Sequence, residues 1–566
     1  MSGPQAESSS ERIQDAARLW HSQDPDPETR EELAGLIAAA AQGDPEASEA
    51  LEDRFGTRLG FGTAGLRGAL GAGPNRMNRV LVAQTAAGLA DYLRTTLDSP
   101  SIVIGYDARK NSSVFARDTA EIMAARGVDT TVLPRELPTP VLAFAVRHLD
   151  ASAGVMVTAS HNPAPDNGYK VYLGGHHGGA QIVAPQDRDI AAAIDNATAT
   201  PVTDYQRSTD YRIAPESVVD EYIRLTAKRG IPGTSRPKVV YTPLHGVGWE
   251  TARQVFADAG FDEPLAVPEQ QHPDPRFPTT AFPNPEEPGA LDLAFAAAKE
   301  YGADLVIAND PDADRLAAAI PSHHGWRQLT GNELGIILGW QAATRSEDHP
   351  RAQSKREGML VASIVSSPGL AEIARRFGLN YAETLTGFKW IARVPGITYG
   401  FEEALGYLVD PDKIRDKDGI SAAVDLLSLV SGLRDRGLTV EQHLNHIATL
   451  IGGHASEQVS IRTNSSSQIA ALMAGLRSAP PNHVGTDRVQ SIDDFIDGHD
   501  QFPPSDIIRI FLEGGTRVVV RPSGTEPKLK AYIDTRSSDG TGEERLTKAR
   551  ADASRIAASV HDLLAP

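Results

Sequence analysis

Three times the chain runs strand, helix, strand, helix, strand, and each time the third strand ends in a loop crowded with polar groups. The first pass reads SIVIGYDAR (101–109), a helical VFARDTAEIMAARG, DTTVLPRELP, PVLAFAVRHL and GVMVTASHNP. The second runs from PKVVYTPLHGVG (237–248) through TARQVFADAG, PLAVPEQQHPDP and ALDLAFAAAKEYG to ADLVIANDPDADR (303–315). The third runs from GMLVASIVSSPG (358–369) through LAEIARRFG, NYAETLTGFK and KWIARVPG to ITYGFEEALGY (397–407). Strands alternating with helices at these lengths predict βαβ units and a parallel sheet in each domain. Ligands of such sheets bind beyond the carboxyl ends of the strands, so TASHNP, NDPDADR and GFEEALGY are the three loops the architecture delivers to a site.

Outside these passes the pattern changes. The first 50 residues read as polar-capped helices, an extension packed on the first domain, and after about residue 457 the chain becomes a smaller α+β domain with a hairpin turning at Gly514–Gly515. The expected class is therefore α/β, with three related domains and a C-terminal α+β domain around a central cleft. The expected boundaries are 1–50 for the extension, 51–215, 216–325 and 326–456 for the three α/β domains, and 457–566 for the last. A chain of 566 residues with 40% hydrophobic content can bury several cores. It has no cysteine, which excludes disulfides and thiolate metal sites, and its net charge of -19 disfavours a phosphate-backbone partner. No apolar run approaches the roughly 20 residues needed to cross a bilayer, so a cytoplasmic protein without nucleic-acid or membrane partners is expected.

The most specific chemical cluster is DPDADR, where Asp310, Asp312 and Asp314 follow the apolar run LVIA. Hard carboxylates converging in a short loop suit Mg²⁺, whereas an EF-hand would need Gly and Glu where Arg315 and Pro321 stand. Asp310 or Asp312 as an aspartyl-phosphate nucleophile is the competing reading. A second cluster, RPSGTEPK (521–528), gathers Arg521, Ser523, Gly524, Thr525 and Lys528 into a phosphate cradle that is not a P-loop. In FGTAGLRGALGAG (61–73), Thr63 and Arg67 sit among glycines that permit close backbone approach. His176 and His177 in GGHHGG read as a turn, while His161 and His245 lie in motif loops suited to hydrogen bonding with a substrate or with the Ser160 loop. Together these parts describe phosphoryl transfer.

The sequence resembles the α-D-phosphohexomutase superfamily through TASHNP with NGYK (167–170), DPDADR, GFEEALGY and RPSGTEPK, supported by PLHGVG, TGFK and DKDG (416–419). These motifs occur in the family's order over residues about 58 to 536. The resemblance implies that Ser160 is a phosphoserine, with Mg²⁺ held by its phosphate and by Asp310, Asp312 and Asp314. It further implies that the phosphoserine phosphorylates a sugar monophosphate, that the resulting 1,6-bisphosphate turns around, and that the other phosphate returns to the serine. By the same match Lys170 and Arg67 lie near the transferring group, where an amine or a charge-positioned hydroxyl can assist proton transfer, and His161 is expected beside Ser160, Lys170 and Arg67 among the catalytic residues. Glu402 and Glu403 bind sugar hydroxyls, Thr63, Arg315, Lys389 and Lys417 complete the substrate contacts, and Arg521, Ser523, Gly524 and Thr525 grip the phosphate that is not reacting.

One departure bears on specificity. Many phosphoglucomutases carry Glu-Glu-Ser in the third loop, whereas here Ala404 follows Glu402 and Glu403, a form similar to the phosphoglucomutase-2 and phosphopentomutase-like subgroup. The expected activity is interconversion of glucose 1-phosphate and glucose 6-phosphate with sugar bisphosphate as activator, in a monomer or homodimer. Phosphopentomutase and phosphomannomutase are the near alternatives. A Mg²⁺-dependent phosphatase and a non-catalytic phosphosugar-binding protein are the distant ones.

Overall fold

Val155, Met156 and Val157 are fully buried in the strand Ala153–Val157, which carries the chain into TASHNP. In the computed structural model, which describes residues 9–63, 65–348, 358–463, 465–523 and 528–565, this strand belongs to the first of two units. Of the described residues, that unit comprises those up to 230 with 238–316 and 412–424; the second comprises 231–237, those from 317 to 411 and those from 425 on.

In the first unit the parallel pairs join Ala153–Val157 to Ser101–Tyr106, then Asp129–Val132, then Arg212–Ile213. The expected parallel sheet is extended by antiparallel strands. Asp166–Leu173 runs antiparallel beside Ala153–Val157, and Leu66–Ala69 runs antiparallel beside Asp166–Leu173. The reason is local: only the short loop 158–165 joins Ala153–Val157 to Asp166–Leu173, and a parallel return needs a crossover of a dozen residues or more. A second sheet in this unit sets Leu305–Ala308, Val239–Thr242 and Leu265–Ala266 parallel, as the second pass predicts.

The N-terminal residues form helices Ser9–Gln23, Pro27–Ala41 and Pro45–Phe55. Two Asp-Pro pairs start the last two, with the Asp26 and Asp44 carboxylates accepting first-turn N–H groups and Pro27 and Pro45 at positions that need no N–H. Ala17, Trp20, Leu33, Ala40, Ala47 and Leu51 join the apolar core of the neighbouring sheet. Glu32 and Arg54 form a 2.7 Å ion pair and grip the glycine-rich loop, Ala72 N–H donating to Glu32 Oε2 at 2.9 Å and Arg54 Nη1 to Ala72 O at 3.1 Å.

In the second unit Asn380–Thr384, Met359–Ser363 and Ile397–Glu402 are parallel, and Gly406–Leu408 returns antiparallel. The C-terminal part is an antiparallel sheet in the order Gly453–Arg462, Lys528–Ser537, Arg517–Pro522, Ile508–Leu512, Asp487–Asp494, His483–Val484. Gly514 and Gly515, at φ of 93° and 87°, turn the hairpin between Ile508–Leu512 and Arg517–Pro522 as expected. Asp487–Asp494 is a strand within the acidic and polar stretch that precedes residue 506. Its residues are half-exposed or exposed, so it lacks the buried alternation by which strands announce themselves. An apolar cluster of Ile364, Val365, Phe495, Phe502, Ile507, Val519 and Tyr532 packs the two sheets of this unit together.

Candidate active site

Ser160 follows the buried strand Ala153–Val157 and adopts φ 54°, a left-handed conformation that a non-glycine residue holds only when its surroundings fix it. Two contacts do so. Ser160 N–H donates to Thr158 Oγ1 at 2.9 Å, and Arg109 Nη2 donates to Ser160 O at 2.6 Å. The same guanidinium reaches the carbonyls of Asn162 at 2.5 Å, Pro163 at 2.9 Å and Asp166 at 3.1 Å, so one buried fork organises the whole loop. Arg109 is itself set by Asp107 at 3.5 Å and lies over the Phe277 ring at 4.9 Å. It was not singled out from sequence, although YDAR ending an apolar strand carries the signal.

Asp310, Asp312 and Asp314 are all 0% exposed, and one carboxylate oxygen of each lies within 4.8 Å of the others. Ser160 Oγ donates to Asp310 Oδ2 at 2.8 Å. Asp312 Oδ2 accepts from Thr139 Oγ1 at 2.6 Å and from Lys170 Nζ at 2.7 Å, and Asp314 Oδ2 accepts from Lys170 at 2.8 Å. Asp312 Oδ1 and Asp314 Oδ1 are buried without a hydrogen-bond partner. Burial and the charges of Asp312 and Asp314 push the Asp310 carboxyl well above its ordinary range. Burial also works against ionised Asp312 and Asp314, as their mutual repulsion does for Asp312, but Lys170 with Thr139 at Asp312, and Lys170 with Lys417 and Arg315 at Asp314, outweigh it and hold both carboxyls low. Three buried carboxylates with two uncommitted oxygens are the donor set a hard divalent cation requires, so these residues fit Mg²⁺.

Lys170 reaches this cluster because Asp166–Leu173 returns antiparallel from the Ser160 loop, pairing Lys170 with Met156. Burial opposes its charge, yet Asp312 and Asp314 raise its pKa. Arg67, opposite Gly168 on the outer strand, donates to Asn162 Oδ1 at 3.2 Å. Thr63 lies in the tight turn closed by Gly62 and Gly65; Gly65 has φ 73°, and a Cβ there would run into the Tyr169 carbonyl. His161 has a buried Nδ1 without a hydrogen-bond partner, and burial, followed by the Arg315 and Arg67 charges, pushes its pKa well down. Arg315 Nε stands 3.8 Å from Asp310 and from Asp314. Lys417 Nζ stands 3.3 Å from Asp314 Oδ2 and 3.5 Å from Asp416 Oδ1, while Asp416 Oδ2 is held by Tyr172 OH and Gln181 Nε2 at 2.8 Å each. His245 is bonded to Thr279 Oγ1 at 2.8 Å.

The remaining predicted residues lie in the second unit. Glu402 ends the strand Ile397–Glu402, and Glu403 N–H donates to Ser366 Oγ at 3.0 Å. Arg521 pairs with Lys530 on the neighbouring antiparallel strand Lys528–Ser537, and its charge works to lower the pKa of the buried Tyr532 hydroxyl. Burial and then Glu403 raise the Tyr532 pKa, Glu402 adding to the effect, so Arg521, Tyr532 and the two glutamates form one electrostatic cluster. Tyr532 was missed because nothing in KLKAYIDT distinguishes it from a packing aromatic. Ser523 N–H donates to Lys528 O at 2.8 Å, while Gly524 and Thr525 lie outside the described residues. Lys389 is on the short helix Phe388–Ile391, which follows Gly387 at φ 106°.

Four successive segments match the phosphoglucomutase/phosphomannomutase domain models: α/β/α domain I over residues 58–201, domain II over 220–323, domain III over 330–450 and the C-terminal domain over 468–550. A probable phosphomannomutase of Haemophilus influenzae is 52% identical over 471 residues, 83% of this chain and 95% of that protein. A phosphopentomutase of Mus musculus is 36% identical over 586 residues, 96% of this chain and 93% of that one, and a glucose 1,6-bisphosphate synthase of Homo sapiens is 32% identical over 584 residues, covering 94% and 92%. The fold is also that of the Paramecium phosphoprotein pp63/parafusin in its open form, with a TM-score of 0.67 at 18% identity, covering 90% of this chain and 96% of that one. The chain belongs to the phosphoglucomutase/phosphomannomutase family and is a phosphomutase, an intramolecular phosphotransferase.

Proposed function

We propose that this phosphomutase interconverts glucose 1-phosphate and glucose 6-phosphate through a phosphorylated Ser160, and that it also turns over pentose phosphates. The observation that carries the reading is Ser160 Oγ at 2.8 Å from Asp310 Oδ2, inside a buried cluster with two uncommitted carboxylate oxygens. A serine so placed is a phosphoryl carrier: the phosphorus–Oγ bond breaks as phosphorus bonds to a sugar hydroxyl oxygen, the proton of that hydroxyl ending on Ser160 Oγ, and the reverse occurs with the other phosphoryl group once the bisphosphate has turned. Asp310, Asp312, Asp314 and the phosphate on Ser160 would hold a Mg²⁺, which would neutralise charge on the transferring group.

The chain's own residues do the rest. Arg109 fixes the carrier loop, and Lys170 adds positive charge at Asp312 and Asp314. Arg67 and Lys417 bring further cations to the same loops, at Asn162 and Asp314. Arg521 offers a fork to the phosphate that is not reacting, and Glu402 and Glu403 offer acceptors to sugar hydroxyls. The phosphatase reading gives no role to a serine held this way, and a binding protein gives none to uncommitted carboxylates beside it.

Breadth of substrate is supported by Ala404, which supplies no hydroxyl beside Glu402 and Glu403, and by likeness over nearly the whole chain to proteins named phosphopentomutase and phosphoribomutase. The test is a coupled assay over the 1-phosphates of glucose, mannose, ribose and deoxyribose with Mg²⁺ and excess sugar 1,6-bisphosphate. Turnover of glucose and ribose phosphates at comparable specificity constants, lost on chelation, supports the reading. Turnover of one sugar alone overturns the breadth, and net release of inorganic phosphate overturns the mutase.

A further inference from the structure

The loop after Met359–Ser363 reads IVSSPG, and neither its serines nor its place on the chain marks it as part of the chemistry. It lies at the carboxyl end of a strand that pairs in parallel with Ile397–Glu402, Ala362 opposite Phe401, so it abuts the loop that carries Glu403. Ser363 and Ser366 are both 0% exposed. Their hydroxyl oxygens are 2.7 Å apart, and each lies 3.2 Å from Glu403 Oε2. Ser366 Oγ also accepts the Glu403 N–H at 3.0 Å.

Proton accounting decides what this cluster does. Each hydroxyl has one proton to donate, and the choices within it are the other hydroxyl or Glu403 Oε2. Both protons cannot lie between the two serine oxygens, so every arrangement that pairs both puts at least one O–H on Glu403 Oε2. Among the described residues, Glu403 Oε1 accepts no hydrogen bond. The carboxylate is thus pinned by one oxygen and by its own backbone, with the other oxygen uncommitted.

A second contact ties this loop to the phosphate-gripping strand. Arg517 Nη2 donates to the Ser366 carbonyl at 2.5 Å, and the guanidinium is held by Asp534 at 2.7 Å and Glu383 at 2.8 Å. Arg517 lies on Arg517–Pro522, four positions before Arg521 and on the same face of that strand.

We propose that Ser366, backed by Ser363, is a positioning residue that fixes Glu403 Oε2 so that Oε1 alone faces a substrate hydroxyl, and that Arg517 sets this serine relative to Arg521. The proposal rests on the reading of Glu403 as a sugar-hydroxyl acceptor. A carboxylate oriented in advance binds without first losing rotamer freedom, so releasing it weakens recognition of the sugar more than the chemical step.

The test uses the full-length enzyme with Mg²⁺, excess glucose 1,6-bisphosphate and the best sugar 1-phosphate of the panel above. It compares Ser366→Ala, Ser366→Thr, Ser363→Ala, Glu403→Gln and the Ser366→Ala/Glu403→Gln double variant, with thermal melts and near-UV circular dichroism as controls. We expect Ser366→Ala to raise KM about tenfold with kcat changed less, the size of one lost charge-assisted hydrogen bond. Ser363→Ala has a smaller effect in the same direction, and Ser366→Thr, which keeps the hydroxyl, recovers most of the loss. The double variant matches Glu403→Gln alone, because a positioning residue has nothing to position once its target is changed. Multiplying effects in the double variant, or an unchanged KM in Ser366→Ala beside a raised KM in Glu403→Gln, overturns the proposal. An unchanged KM in Glu403→Gln overturns the sugar-binding reading instead. Should Ser366→Ala fail to fold, Ser363→Ala alone and in combination with Glu403→Gln decides by the same criteria.

Discussion

Ser160 Oγ and Asp310 Oδ2 lie 2.8 Å apart although 150 positions separate them in the chain. The contact joins two loops that leave the carboxyl ends of Ala153–Val157 and Leu305–Ala308. The serine is in a left-handed conformation, which costs of the order of 1–3 kcal/mol and persists only because neighbours fix its backbone.

Those neighbours give the first prediction. Arg109→Lys keeps the charge but loses the planar fork that reaches the carbonyls of Ser160, Asn162, Pro163 and Asp166. We expect kcat to fall by a factor of about 10 to 100, since displacing a reacting group by about an ångström has effects of that size. KM for the sugar phosphate changes little. Steady-state kinetics check this, and an unchanged kcat contradicts it.

A second prediction concerns the sugar. Ala404→Ser restores a hydroxyl beside Glu402 and Glu403, and each neutral hydrogen bond is worth about 0.5–1.5 kcal/mol net. The ratio of specificity constants for glucose over ribose 1-phosphate should rise about two- to tenfold. A ratio that falls or stays constant shows that other residues set the preference.

Lys413 and Asp418 carry the third. Lys413 Nζ contacts Asp418 Oδ2 at 2.9 Å and the hydroxyls of Thr226 and Ser421 at 2.6 Å each, and Tyr222 OH donates to Asp418 Oδ1 at 2.8 Å. Both charged residues are buried, and between them lies Lys417, which faces Asp314. Lys413→Met leaves a buried carboxylate without its cation, and stability should fall by about 3–5 kcal/mol. Lys413→Met/Asp418→Asn should be less destabilised than Lys413→Met alone. Urea denaturation measures both, and a loss under about 1 kcal/mol in the single variant contradicts the assignment.

How much of this was legible follows from what each residue's signal depends on. Ser160, the three aspartates and Glu402 end apolar strands, so local pattern together with the rule for α/β sheets found them. Arg109, Ser366 and Arg517 act through contacts made only once strands are in register. Arg109 reaches Ser160 across 51 positions and Arg517 reaches Ser366 across 151, distances that no local pattern spans. The antiparallel return of Asp166–Leu173 was also hidden, because a strand buried on both faces reads alike in either direction.

The fourth prediction is a pH dependence of stability in the acid range. Burial pushes His443 and His454 down to about 4, with Arg436 and His446 adding to the effect at His443 and Arg536 and Arg517 at His454, where Glu372 opposes it. A folded pKa below the unfolded value means that the unfolded chain binds more protons between them, so stability falls as pH drops from about 6.5 to about 4. Each histidine contributes at most about 3 kcal/mol of that loss. Thermal melts from pH 7 to pH 4.5 should show it, with a shallower slope in His443→Leu and His454→Leu. A slope unchanged in both variants contradicts the assignment.

The site of the phosphoryl group is the most direct test of the central claim that Ser160 carries it. The enzyme is incubated with glucose 1,6-bisphosphate, and the modified residue is then located by peptide mass spectrometry before and after hydroxylamine. The account predicts a hydroxylamine-resistant phosphate ester on Ser160, with Ser160→Ala folded, unlabelled and without turnover. A hydroxylamine-labile acyl phosphate on Asp310 or Asp312, with turnover retained in Ser160→Ala, would contradict it.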